Sequence, residues 1–476
     1  MDRMSGIDDF VSNKLSESGV PGVAISIVKD GKVILSRGYG KRNIDQELPV
    51  TEDTVFAIGS SSKSFTSTAI GILVDEGKLS FDAPIKTYIP WFKMYDPIAA
   101  DLVTARDLLC HRTGLPRHDH ILTDAKLSRK EIVERIGYLQ PSTGFRSKWQ
   151  YSNLMFIAAG YLIEAVCGQT WEEYVHEKIF TPLGMTHSGF SVCNMQKNSD
   201  CSKPYGKVGS DVFELTYANV ETVGPAGAIH SNIKDMTNWM MLQLNKGIFT
   251  SKRIISKESI DQLHTAHMPC YEPSEWNCNE NKHSSYGQGW YVDSFRGHEL
   301  IHHGGNVDGF SSFVSFMPEE KLGVVVLSNL NITHLPIALS YEIYDRLLGY
   351  AGKDWNKTIE SNLASTLESF TATAIECSLP PRKEGTQPSH KLEEYTGKFK
   401  HPGYGVVHIQ LENDMLKLSY GIFDTVIAHY HYDTFGFEAM LLFATFHTNK
   451  FGKIDKLSIR LEMDPAVDDI MFSRIE

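Results

Sequence analysis

The sequence predicts an α+β protein: an antiparallel sheet flanked by helices plus an all-helical region, followed by a small all-β barrel. Three observations carry this. Strand-like runs occur near the N-terminus and again over residues 311–327, with helical patterning between them. A Pro-rich stretch interrupts the chain near residue 380, and beyond it apolar residues alternate with period two.

The elements follow in order. Ile7, Phe10, Val11 and Leu15 recur at helix spacing and predict a short amphipathic helix. A hairpin follows, running Val23–Val28, turning at Asp30-Gly31 and returning through Val33–Leu35, because Asp-Gly is a favoured two-residue turn. Phe65, Ala69, Ile72 and Leu73 predict a helix from Ser60 that Gly77 ends, and a second runs from Leu154 to Val166 before Gly168. Ser311–Phe316 and Gly323–Leu327 read as strands, so the sheet is expected to join distant parts of the chain. In the tail, Val407/Ile409/Leu411, Leu416/Leu418/Tyr420 and Leu457/Ile459/Leu461/Met463 alternate as strands of a closed sheet.

A length of 476 residues exceeds what one core organises. The expected division is a catalytic-type domain over 1–378, a linker over 379–390 and a barrel over 391–476 that shapes access to a site or mediates self-association into a homo-oligomer. A net charge of −12 with no Lys/Arg cluster argues against nucleic acid, and no apolar run is long enough for a membrane span. The first residues lack a signal peptide's basic start and apolar stretch, so a cytoplasmic location is expected, with secretion the alternative if a signal peptide has been removed. Seven cysteines fit reduced thiols, although Cys193/Cys201 and Cys270/Cys278 leave room for local disulfides.

Three segments carry chemistry. Gly59-Ser60-Ser61-Ser62-Lys63 opens a helical pattern, which sets Ser60 and Lys63 roughly one turn apart on one face, where an amine can take the hydroxyl proton. Tyr151-Ser152-Asn153 offers a phenol for proton transfer and an amide for holding substrate. Ile301-His302-His303-Gly304-Gly305-Asn306 brings glycines that let a substrate backbone lie along a strand, with a backbone N–H as oxyanion donor. A rival zinc motif, His298-Glu299-Leu300-Ile301-His302, lies between Gly297 and Gly304, too short a span for the helix that zinc binding needs. Neither a metal nor any cofactor is therefore expected. His429 and His431 alternate along a tail strand and are expected on the outer face of the barrel.

Together these segments resemble class C β-lactamases and their relatives among penicillin-binding proteins, D-stereospecific peptidases and carboxylesterases. The Ser-x-x-Lys, Tyr-x-Asn and Lys/His-x-Gly motifs appear in order as Ser60/Lys63, Tyr151/Asn153 and His302/Gly304. The segments Leu108–Pro116, Pro182–Thr186 and Pro225–Ser231 add to the likeness, which covers about 5–350. The resemblance implies a Ser60 acyl-enzyme with Lys63 and Tyr151 managing the proton, and Asn153, His302, His303 and Gly304 binding a small-molecule or peptide substrate. It further implies an oxyanion hole from the amides of Ser60 and Gly305. The tail resembles the lipocalin-like barrel attached to some of these hydrolases. The expected activity is hydrolysis of a D-amino-acid-containing peptide or a carboxylic ester, with a β-lactamase or a cyclase/acyl transferase as alternatives. A non-catalytic binding or scaffold protein is the alternative of another class, marked against by retention of all three reactive residues. His302 stands where β-lactamases carry a lysine, so weaker attraction for substrate carboxylates is expected.

Overall fold

A computed structural model describes residues 3–123, 127–270, 281–362, 381–437 and 441–475. Cys278, Leu379 and Pro380 lie outside the described residues.

Nine antiparallel strands form the main sheet. They are β1 (Gly22–Lys29), β2 (Lys32–Asn43), β3 (Leu48–Pro49), β4 (Met268–Pro269), β5 (Asn281–Tyr286), β6 (Tyr291–Phe295), β7 (His298–Val307), β8 (Phe310–Met317) and β9 (Leu322–Ser328). Their spatial order is β4-β5-β6-β7-β8-β9-β1-β2-β3. The early hairpin and the late strands therefore meet in one sheet, with Ile25 opposite Val326. The β1–β2 turn has positive φ at both Asp30 (50°) and Gly31 (73°), as a tight turn matching strand twist requires.

β8 and β9 are buried along their whole length, because helices cover both faces. On one face, α1 (Ile7–Ser18) and α5 (Leu335–Leu348) pack onto Val23, Ile25, Leu300, Phe313 and Val326. On the other, α4 (Ile233–Leu244) packs onto β1 and β9, and its Thr237 donates to Ser26 Oγ at 2.6 Å. Each fully buried Val or Leu of β9 contributes about 1.5–3 kcal/mol, so this strand anchors the platform on which the site is built.

The tail closes into an eight-stranded antiparallel barrel from Gly397–His401 to Ile470–Arg474. Phe399, Leu418, Phe435, Phe446 and Phe472 fill it, with Tyr395 packed against Phe435 and Phe446. Leu457 and Ile459 lie in its seventh strand, Ile454–Ile459, but Met463 lies beyond it and is exposed. His429 Nε2 donates to Tyr432 O (2.9 Å), and His431 Nδ1 accepts from Lys383 N (3.4 Å).

Compactness does not follow the order of the sequence. One unit comprises residues 1–90, 103–111 and 155–364; the other combines 91–102 and 112–154 with the tail from 365. The barrel thus shares a compact unit with the segment carrying Tyr151 and Asn153. Cys193 and Cys201 are free thiols. Among the described residues, no single helix is long and apolar enough to cross a membrane.

Candidate active site

Ser60 lies in the single 3₁₀ turn Gly59–Ser61 that leads into α2 (Ser62–Asp75). One turn on, Lys63 is fully buried and its Nζ donates to Ser60 Oγ at 3.0 Å and to Ala226 O at 2.8 Å. Its Nζ also lies 5.5 Å from the Phe156 ring centre. The turn is tied from several sides. Ser62 Oγ donates to Gly59 O (2.7 Å) and accepts from Ile229 N (3.1 Å), while Thr66 Oγ1 donates to Pro225 O (2.7 Å). The Pro225–Gly227 stretch is therefore a wall of the Ser60 site.

The sheet approaches this turn so closely that side chains are excluded. Gly59 has φ +51°, and a Cβ there would sit 2.6 Å from Asn306 N. A Cβ on Gly305 would sit 1.8 Å from Ile58 O, whereas one on Gly304 would meet only ordinary contacts at 3.6 Å and beyond. Gly305 is the glycine that the site requires. Strand alternation puts His303 on the same face as Gly305, and Ser61 Oγ donates to His303 O at 3.2 Å.

The expected role of His302 is corrected by this alternation. Its side chain lies on the opposite face, level with Ser315 and next to Phe313, among the residues that meet α5. Only 1% of it is exposed; the ring stacks on Tyr291 and Nε2 pairs with Asp293 Oδ2 at 2.9 Å. The third motif is therefore His303-Gly304-Gly305, one residue later than expected.

His303 is itself held neutral. Nδ1 lies 2.6 Å from Gly304 O, which can only accept, so Nδ1 carries the proton and Nε2 accepts from Tyr286 OH at 2.9 Å. Burial, reinforced by Lys63, pushes its pKa down to about 3 against the weaker pull of the Gly304 carbonyl. Tyr286 escaped the sequence reading; a lone tyrosine in Ser284-Ser285-Tyr286-Gly287 reads as ordinary strand. β6 pairs with β7 only as far as His302, and among the described residues no strand continues alongside His303–Val307 on that side. The His298–His302 zinc spacing falls within β7, where residues four apart are roughly 13 Å from each other. His298 instead meets Glu320 and Tyr350.

Tyr151 and Asn153 belong to the other unit, at the start of α3 (Asn153–Cys167). Arg117 lies over the Tyr151 ring (5.5 Å to its centre), and Trp149 packs beside it at 5.9 Å. Asn153 Nδ2 donates to Asp119 Oδ1 at 3.2 Å, and Arg117 Nε donates to the same carboxylate at 2.7 Å. Arg117 and Asp119 were not singled out from sequence, since a charged pair in a loop carries no local signal.

The model of the Beta-lactamase family matches residues 7–343, and a domain of unknown function (DUF3471) matches residues 381–474. An unguisins hydrolase of Aspergillus campestris is 29% identical over 418 residues, 83% of this chain and 76% of that protein. Protein flp of Staphylococcus aureus is 26% identical over 70% of this chain, which spans 65% of flp. Among solved structures, the octameric penicillin-binding protein homologue of Pyrococcus abyssi matches 99% of this chain and 100% of its own at 24% identity, with a TM-score of 0.63. The D-amino acid amidase of Ochrobactrum anthropi matches 73% of this chain and 98% of its own at 21% identity and a TM-score of 0.60. With a family match across most of its length, a sheet and helices of the same fold, and the three motifs in order, the chain belongs to the beta-lactamase family.

Proposed function

We propose that the chain is a serine hydrolase that forms an acyl-enzyme at Ser60 on an amide or ester substrate, such as a D-amino-acid-containing peptide or a carboxylic ester. The observation that carries this is the fully buried Lys63 amine 3.0 Å from Ser60 Oγ at the start of a helix.

Ser60 Oγ attacks the acyl carbon and its proton passes to the Lys63 amine in its neutral form. Tyr151 relays that proton to the departing amine or alkoxide as the C–N or C–O bond breaks. Water then attacks the Ser60 ester by the reverse proton route, releasing a carboxylic acid and restoring the hydroxyl. The oxyanion forms against the amides of Ser60 and Asn306. The second donor moves from Gly305 to Asn306 with the one-residue change in motif register, in line with the closeness of Asn306 N to Gly59. Asn153 holds the substrate amide, and a substrate backbone lies along β7 from His303.

The neutral, internally bonded His303 supports a substrate without a carboxylate at this position, and so disfavours β-lactams and peptides ending in a free D-alanine. The test is a side-by-side panel of nitrocefin, p-nitrophenyl esters and D-amino-acid amides with the parent and Ser60→Ala. Turnover of neutral esters or amides, lost in Ser60→Ala, is the expected result. Efficient nitrocefin turnover with neutral substrates untouched would remove the substrate assignment.

A further inference from the structure

Glu462 and Asp464 lie between the last two barrel strands, Ile454–Ile459 and Ile470–Arg474, and Tyr404 lies in the turn between the first two, Gly397–His401 and Gly405–Glu412. All three reach residues 112–154. Glu462 Oε2 accepts from His118 N at 2.6 Å, Tyr404 OH lies 2.6 Å from His118 Nδ1, and Asp464 Oδ2 accepts from Gln150 Nε2 at 2.8 Å. A third barrel turn closes in at Gly421, where a Cβ would sit 1.9 Å from Thr123 Oγ1.

Two of these contacts meet at His118. It is buried with φ +46°, a left-handed backbone that a histidine seldom adopts and that persists only where the surroundings fix it. Its Nε2 donates to Gln140 O at 2.9 Å, so Nδ1 is the acceptor for the Tyr404 hydroxyl. Burial keeps this imidazole below its ordinary pKa in spite of the Gln140 carbonyl and Glu462, consistent with that tautomer. Its chain neighbours are Arg117, over the Tyr151 ring, and Asp119, which accepts from Asn153. Gln150 is the residue directly before Tyr151.

We propose that the barrel is a positioning element for the Tyr151–Asn153 motif, acting through Glu462, Tyr404 and Asp464 on His118 and Gln150. This rests on the reading of Tyr151 as proton carrier. Glu462, Asp464 and Tyr404 are positioning residues: they set the backbone on either side of the groups that touch Tyr151 and Asn153. A loosened His118 relaxes out of its strained conformation and carries Arg117 and Asp119 with it, so with an ester, which offers Asn153 no amide to hold, the cost falls on the chemical step rather than on substrate affinity.

The experiment uses the full chain as Glu462→Gln, Asp464→Asn, Tyr404→Phe, Tyr151→Phe and, as a barrel control, Asp424→Asn. Steady-state kinetics on a neutral p-nitrophenyl ester are paired with hydrogen exchange of peptides covering 112–123 and 141–153. The three positioning variants should lose roughly 10- to 100-fold in kcat with KM within about twofold. They should also exchange faster in those peptides, while Asp424→Asn matches the parent in both. Normal kcat in the three variants, a fall in kcat without faster exchange, or an equal fall in Asp424→Asn overturns the proposal. If Tyr151→Phe keeps full activity, the proton-carrier reading fails instead, and the barrel loses its catalytic meaning with it.

Discussion

The Ser60 turn and the Tyr151 segment are held by opposite means. Around Ser60, backbone meets backbone: Gly59 lies against Asn306 and Gly305 against Ile58, with no room for a methyl group. Around Tyr151, long polar side chains reach across from the barrel to His118 and Gln150. The first arrangement fixes position by excluded volume and tolerates no added atom. The second fixes it by hydrogen bonds, tolerates small changes in volume, and fails when a bond is lost. The cradle of Ser60 thus rests on the sheet, whereas part of the support of the Tyr151 segment comes from the barrel.

The two glycines of β7 carry the largest expected effect. Gly305→Ala should lower kcat/KM by about 10²–10³-fold, because relieving the clash with Ile58 O displaces the Asn306 amide from the oxyanion position. Gly304→Ala meets only ordinary contacts and should stay within about threefold of the parent. Steady-state assays on a neutral ester separate the two. Equal effects would mean that close approach is not what the motif glycine provides.

The paired histidines give the next largest effect. His303→Lys should raise the ratio of nitrocefin to ester kcat/KM by about tenfold, since it places a cation where the parent has a neutral ring. His302→Lys should leave the ratio flat and cost about 1–3 kcal/mol of stability, through loss of the buried Asp293 bond and the Tyr291 stack. A ratio that moves with His302 and not His303 would reverse the register.

The acid response is read in stability rather than in rate. His303 and His264 are both pushed by burial to about 3, well below the ordinary histidine value, so between these limits the unfolded chain binds protons that the folded chain refuses. Their contribution is intact above pH ~6.5 and declines as pH falls toward 3, by about 1.4 kcal/mol per pH unit for each group. Thermal melts from pH 7.5 to 4.5 should show Tm falling below pH ~6.5, with a shallower slope in His303→Gln. An identical slope in that variant would mean that His303 takes up a proton in the folded protein.

Much of the site was legible in the sequence because its spacing is local. Ser60 and Lys63 are one helical turn apart, and the strand runs at both ends of the first 330 residues announced the sheet that joins them. His302 and His303 were ambiguous for a definite reason: His-His-Gly-Gly satisfies His-x-Gly in two registers. Only the face of β7 on which Gly305 meets Ile58 decides between them. Tyr286 and Asp293 lie 17 and 9 residues from the histidines they fix, on β5 and β6, and no local pattern reveals those contacts. Glu462 and Asp464 are more remote, more than 300 residues from His118 and Gln150. An alternating tail reads as a barrel, but its period does not disclose what its turns hold.

Whether Ser60 accepts the acyl group is read by intact-protein mass spectrometry after a fluorophosphonate probe, with peptide mapping of the adduct. A single adduct is expected, mapped to Ser60, formed in the parent and in Asp424→Asn and absent in Ser60→Ala. An adduct that persists in Ser60→Ala, or that maps to another residue in the parent, would contradict it.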